Sequence, residues 1–374
     1  MSKLGNKNLR NAEFNSASQQ RDPESSSGLR VLILLSLIVI VIVILTVLPK
    51  TKKAQAPTDY QSTTTYNLKP TTLFFAGDIM LSRNVHDKMA DNSDFSLPFQ
   101  NVKNEINAAD ISFANLESPF NDKGLHFVPN SLVFNADPQS VAGLKAAGFD
   151  VLSTANNHAL DQGLKGLNFT IDHLVDNGII PTGTSRSEGD AVLPVIKSQD
   201  ILYGFLSYTY SALNDGGQSS SPYVDTMGDL KSLQQDIWAH RGHTADVIIV
   251  SMHAGTEYTR TPTEQQIAFA HAAIDAGAEM VIGHHPHWIQ SVEQYKGKWI
   301  FYSLGNFVFD QMWSAETREG LTITMTMTDD HITKIELRPV IIENYCCPRW
   351  ANEEESLAIL KKINLTSSIL VNNN

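Results

Sequence analysis

VIGHHPHWIQ, Val281–Gln290, sets three histidines into four positions directly behind a short apolar run. An apolar run of that length, bounded by polar residues, reads as a buried strand, so the histidines stand at a strand's carboxyl end. The same pattern recurs along the chain. LFFAGD closes on Asp78, ISFANLE on Glu117, VLSTANNH on Asn157 and His158, VIIVSMH on His253, MVIGHHPH on His285 and His287, and IFYSLGN on Asn306. Helical segments lie between these runs, and the alternation predicts an α/β layered domain. In such a sheet the carboxyl ends share one edge, where ligands bind. Side chains from position 78 to position 306 are therefore expected to form one site.

The donor set says what that site holds. Imidazoles, carboxylates and an amide oxygen together suit Zn, Mn or Fe rather than Ca or Mg alone. His285 and His287 lie two apart on a segment read as extended, so both face one way about 6–7 Å apart, which lets them serve two neighbouring divalent metals. Each residue alone has a plainer reading: Asp78 as a turn former, Asn157 as an Asx-turn, His253 as a satisfied core histidine. Six such coincidences at equivalent strand ends argue against the plain reading. His86, His126, His173, His240, His243, His271 and His331 lack that placement and are expected at the surface or behind the site.

At 374 residues and 42% hydrophobic content the chain has enough apolar material for a substantial core. Its net charge is −12, and the first thirty residues hold five Lys/Arg against three Asp/Glu, so residues 31–374 carry −14. That balance argues against a nucleic-acid surface. Residues 31–48, VLILLSLIVIVIVILTVL, would span roughly 27 Å as a helix, close to a bilayer core, and are read as a single transmembrane anchor. A core helix and a cleaved signal peptide ending at Ala54-Gln55-Ala56 are the alternatives. Lysines and arginines flank both ends of the run, and the reading adopted puts the tail inside and the domain outside, at the cell membrane. The expected organisation is a disordered tail at 1–30, the anchor at 31–48, a linker at 49–70, the domain at 71–345, and a C-terminal extension at 346–374 with a helix from Glu353 to Leu370.

Local signals support this. Asp137-Pro138 is an N-cap and N1 pair that Gly148 closes, and Thr263 with Gln266 makes a capping box for a helix ending at Gly277. Period-two alternation on both sides of Asp329-Asp330 predicts a hairpin. Cys346 and Cys347 are adjacent, cannot close a loop, and are read as two ordinary thiols rather than a vicinal disulfide.

AGDIML, ANLESP, ANNHALDQG, HAGTEY, GHHPHWIQ and YSLGNFVFD, in that order from about Thr71 to Asp310, resemble the successive motifs of the CapA family of capsule and poly-γ-glutamate synthesis proteins. Members often hang from one N-terminal membrane helix. The family is similar in turn to the calcineurin-like metallophosphoesterases, which implies a four-layer α/β/β/α sandwich with a two-metal site. On that resemblance Asp78, Glu117, Asn157, His253, His285 and His287 are the metal ligands, with His284 the alternative if the register slips by one. His158 is the catalytic histidine that protonates a leaving group or steadies an oxyanion. Arg83 is expected to hold a substrate carboxylate or phosphate, with a salt bridge as the alternative, and Asp161, Glu257 and Asn306 to orient imidazoles. This chain departs from the wider superfamily at Met80, where a histidine ligand is usual, and at Glu117, where an aspartate bridges. From the family's own pattern it departs at Ala254, where tryptophan is common. Two functions follow from the resemblance. One is a membrane-anchored component of anionic-polymer synthesis or export working with membrane partners. The other is a metal-dependent hydrolase of phosphoesters or γ-glutamyl amides.

Overall fold

TTLFFAGDI, rich in β-branched and aromatic residues, forms β1 (Thr71–Ile79). Its side chains alternate between two different cores, Leu73 and Phe75 in one and Phe74 and Ala76 in the other. A strand apolar on both faces belongs inside a layered domain. A computed structural model of the chain describes residues 69–128, 131–188, 193–214 and 220–370. The expected tail, anchor and nearly all of the linker lie outside the described residues. Among the described residues no helix is long and apolar enough to cross a membrane.

Beside β1 run the parallel strands β2 (Ile111–Leu116), β3 (Val151–Ser153) and β4 (Ile180–Thr182). On its other side β12 (Glu319–Thr328), β13 (His331–Glu343) and β14 (Cys347–Trp350) continue the sheet antiparallel. β12 and β13 are the hairpin expected around Asp329-Asp330. Two short strands complete this sheet: β11 (Asn306–Val308) pairs with β1, and β15 (Ile369–Leu370) with β13. The second sheet has the order β5 (Val195–Ser198), β6 (Ile201–Thr209), β7 (Val247–His253), β8 (Met280–His284), β10 (Lys298–Phe301), β9 (Val292–Tyr295). Its strands β6, β7, β8 and β10 are parallel.

The two sheets face each other across Phe75, Phe113 and Val151 from the first and Phe205, Ile249 and Ile282 from the second, with the Phe113 and Phe205 rings stacked 5.8 Å apart. Helices α1 (Arg83–Asp91), α2 (Lys103–Ala108), α3 (Val141–Ala147) and α4 (Gly163–Asp176) cover the outer face of the first sheet through Met89, Ile106, Leu144 and Leu174. Helices α5 (Leu230–His240) and α6 (Glu264–Ala276) cover the second through Ile237 and Phe269. The layers are helix, sheet, sheet, helix, a mixed α/β architecture. The remaining helices are α7 (Ala315–Arg318) and α8 (Glu353–Lys362).

The capping signals hold. Asp137 accepts from the Gln139 N–H at the head of the turn leading into α3, and Gly148 ends that helix. Thr263 and Gln266 form the reciprocal box on α6, and Gly277 ends it. Four expectations need correction. The last helix stops at Lys362, and Ile369–Leu370 pairs with β13 instead of extending it. Cys346 and Cys347 are joined in a disulfide, where the turn after β13 enters β14. Asn306 opens β11 and does not close a strand. His285 and His287 lie beyond the end of β8 with φ of 96° and 56°, so their common direction comes from a left-handed turn and not from an extended segment.

Candidate metal centre

Parallel pairing sets the first half of the site. β1 and β2 are in register so that Asp78 lies beside Asn115, and β1 and β11 so that Asp78 lies beside Asn306. Asn115 and Glu117 are two apart at the end of β2 and therefore share a face. The Asn115 amide donates to Asp78 Oδ1 at 2.8 Å and to His253 Nδ1, at the end of β7, at 3.2 Å. With Nδ1 accepting, the His253 proton sits on Nε2, which donates to Asn157 Oδ1 at 2.8 Å. Asn156 holds the loop that carries Asn157 and His158, donating to the Leu116 carbonyl and accepting from the His158 N–H.

The second half comes from beyond β8. The His285 N–H donates to Asp78 Oδ2 at 3.2 Å, and His287 Nδ1 donates to Asn306 Oδ1 at 2.9 Å, leaving His287 Nε2 3.7 Å from Glu117 Oε1. The His285 ring lies 4.9 Å from that of His253 and 6.1 Å from that of His287. His284, the alternative ligand, is fully buried with Nδ1 3.4 Å from Asp78 Oδ1, and neither ring nitrogen has a hydrogen-bond partner.

The residues fit a divalent metal on their own evidence. Among the described residues, one oxygen each of Asp78 and Glu117 and one ring nitrogen of His253 lie within 4.8 Å of one another. Glu117 is fully buried, yet neither carboxylate oxygen has a hydrogen-bond partner, and His285 Nδ1 is likewise orphaned. An unpaired buried carboxylate costs several kcal/mol, about as much as any single group in a fold, so such a group calls for a cation. Electrostatics agree. Burial, and then the neighbouring Asp78 charge, push the Glu117 carboxyl well above its usual range. Burial pulls Asp78 the same way, but the His284 and His287 imidazoles and the Asn115 amide outweigh it and hold that carboxyl low. Burial drives His253 well down, His285 to about 3, and His287 down, so all three rings are neutral. His253 and Asn157 bond each other, so His253 offers Nε2 to a cation only by giving up that bond and moving its proton to Nδ1.

His158 points at the same centre. Its Nδ1 bonds Asp161 Oδ2 at 2.8 Å, its ring stacks on Phe134 at 4.0 Å, and its Nε2 lies 3.7 Å from Glu117 Oε1. Asp161 is fixed in turn by the Phe134 N–H and the Asn214 amide. Asn157, His158, His285 and His287 line a cavity of about 390 Å³ with Tyr210, Tyr258 and Glu257. Glu257 stands exposed on its wall rather than behind an imidazole. Arg83 lines it too, but its guanidinium is bonded to Asp310 and to the Ser131 carbonyl, the salt-bridge alternative rather than a free anion hook. Asn306 stands behind His287 as expected. Met80 occupies the place of the missing histidine with its sulfur accepting from the Ser82 N–H and hydroxyl. Sequence reasoning missed Asn115, Asn156 and Phe134. The strand period two residues before Glu117 could have found Asn115, whereas nothing in the sequence marks Phe134.

Residues 72–311 match the bacterial capsule synthesis protein PGA_cap family. The chain belongs to that family. This PGA_cap protein is 32% identical over 282 residues to the PGA biosynthesis protein CapA of Bacillus subtilis, covering 74% of this chain and 73% of that one. It is 30% identical over 280 residues to the capsule biosynthesis protein CapA of Bacillus anthracis, covering 73% and 67%. Among solved structures it is similar to a novel phosphatase from Mycoplasma pneumoniae, with a TM-score of 0.47 and 17% identity over 73% of this chain and 94% of that one. The resemblance read from the six motifs is thus a family membership.

Proposed function

We propose that this PGA_cap protein is a membrane-anchored component of the synthesis or export of an anionic polymer of poly-γ-glutamate or capsule type, with a divalent-metal site at its working centre. The observation that carries the reading is the Glu117 carboxylate, buried without a hydrogen bond at the meeting of both sheets. The names of its Bacillus relatives supply the process. The apolar run at 31–48 supports the anchor. The Cys346–Cys347 disulfide supports a domain outside the cytoplasm, since such bonds persist in oxidising compartments. The partners are then the membrane and other membrane proteins of the same synthesis system.

Asp78, Glu117, Asn157, His253, His285 and His287 would hold the metal, two ions of Mn, Fe or Zn on the reading adopted here. Divalent metal there would supply Lewis acidity and charge stabilisation. The His158–Asp161 pair favours a specific reaction, hydrolysis of a phosphoester or γ-glutamyl amide. Asp161 fixes the imidazole with its proton on Nδ1, so Nε2, facing the cavity, takes a proton and returns it to the leaving oxygen or nitrogen. Phe134 shields that ring from water.

Metal content of the full chain purified without chelator, beside a His285→Ala, His287→Ala variant, tests the site. About two equivalents of transition metal, lost in the variant, is the expected result; no metal above the variant overturns it. Polymer output in cells then tests the process: His158→Ala abolishes output if hydrolysis is needed, while unchanged output with loss only on removing residues 1–54 leaves a scaffold.

A further inference from the structure

We infer that the site accepts an extended polyamide chain, whose backbone lies in a second cavity adjoining the metal-side one, with Trp313 as its platform. This rests on the polymer reading above and names how the polymer is held. The second cavity, about 480 Å³, shares Arg83, Leu132, Tyr258 and Gln311 with the first, so the two have a common wall. A ligand reacting at the metal side therefore has room to continue past Tyr258.

Trp313 is 61% exposed at this cavity, its indole held edge-on against the Tyr258 ring at 4.8 Å. A large aromatic left uncovered yet braced by a second one offers rigid apolar contact at small entropic cost. The brace is tied to the centre. Tyr258 has φ of 59°, a costly conformation for a bulky residue, kept by its N–H donating to the Pro286 carbonyl between the two cavity histidines. Its hydroxyl accepts from Gln311, Gln311 accepts from Asn306, and Asn306 accepts from His287. The groove and the metal-side imidazole thus share one hydrogen-bonded frame.

The charge of the groove identifies what it reads. Among the described lining residues Arg83 is the one cation, and Asp310 and the Ser131 carbonyl already occupy it. A groove that gripped carboxylates or phosphates would present free Arg or Lys. Here the neutral amides of Asn84 and Gln311 each use one N–H, on Asp310 and on the Tyr258 hydroxyl, and have a second that suits an amide carbonyl. The indole suits methylenes. The ligand class is a chain of amide bonds spaced by methylenes, as in γ-linked glutamate, with its carboxylates turned to solvent.

Titration calorimetry of the full-length His158→Ala protein with γ-linked glutamate oligomers of two and about ten residues tests this, at roughly 50 and 500 mM salt. The longer oligomer is expected to bind about tenfold tighter, with no loss at high salt, because the contact is to the backbone. Trp313→Ala removes that length-dependent gain, and Trp313→Phe keeps most of it. Equal affinity at both lengths, affinity that collapses with salt, no binding, or an unchanged Trp313→Ala each overturns the groove. Metal content and cellular polymer output are separate readouts. Normal values there with a failed length dependence sink this inference alone, whereas absent metal sinks the reading beneath it.

Discussion

The two sheets bring different chemistry to the shared edge. The first supplies oxygen, from Asp78, Glu117 and Asn157; the second supplies nitrogen, from His253, His285 and His287. They also support it differently. Asp78 sits within a hydrogen-bonded ladder, in register with Asn115 and Asn306. His285 and His287 have left their ladder for a left-handed turn and are held by Asp78 and Asn306, which belong to the first sheet. The oxygen half is therefore framework as well as donor set, and the turn beyond β8 depends on it. Close approach helps both halves. A Cβ on Gly77 would lie 2.0 Å from the Gly305 carbonyl oxygen, and one on Gly283 1.9 Å from that of Tyr302, so β1 and β8 are each flanked by a neighbour that only glycine admits.

This asymmetry sets the largest effect. Asp78→Ala strips the acceptor from the Asn115 amide and the His285 N–H, leaving buried donors unmatched at about 1–3 kcal/mol each. It is expected to cost about 3 kcal/mol or more in the metal-stripped protein as well as the metal. His285→Ala removes a ring whose Nδ1 has no partner, orphans nothing, and costs about half as much while losing metal equally. Urea denaturation of both variants after chelation checks the ratio. Equal losses would mean that the turn beyond β8 is framework too.

Acid probes the nitrogen half. His253, His285 and His287 all titrate below the usual 6.5, His285 down to about 3, so as pH falls below about 6.5 the unfolded chain binds protons that the fold refuses. Stability of the metal-stripped protein is therefore present near neutrality and is lost as pH falls below that value, by up to about 1.4 kcal/mol per pH unit for each histidine. Asp78, with its lowered carboxyl, adds loss at the acid end. Glu117 acts in the opposite sense, since its raised carboxyl is protonated in the fold first, but it is one group against three. Stability that stays flat from pH 7 to about 4.5 would contradict neutral buried imidazoles.

The strands leading into the site were legible because each is an apolar run followed within a few residues by a donor, a pattern carried by neighbouring positions. Which sheet a strand joins was not, since that depends on crossings such as the one from β4 to β5. The donor types at Asp78, Glu117, Asn157 and His253 could be read where they stand. The direction of His285 and His287 was reached by a wrong reason, because nothing in HHPH announces left-handed backbone at a non-glycine residue. Arg83 meets Asp310 from 227 positions away, and Phe134 reaches His158 from a loop without periodicity. Such contacts are products of the packed layers and leave no local trace.

Glu117→Gln sharpens the comparison in the other direction. A carboxyl raised by burial and by Asp78 is a charge the fold disfavours near neutral pH, so its neutral isostere is expected to raise the stability of the metal-stripped protein by about 1 kcal/mol. Metal binding falls steeply in the same variant. A less stable apo protein would show that the carboxylate is compensated in the fold without metal.

The smallest effect lies behind the second sheet. Thr263 accepts the Gln266 N–H in the capping box of α6, and Thr263→Ala is expected to cost about 1 kcal/mol. The Gln266 side chain also bonds Gln290 and the Tyr302 carbonyl, so some path to the imidazole edge exists. If that edge is held chiefly by Asp78 and Asn306, full metal stoichiometry survives the lost cap, and denaturation shifts without any change in elemental content. Metal loss in Thr263→Ala would instead place part of the support for His253 and His285 in the helix layer behind them, and the division between a framework half and a dependent half would have to be redrawn.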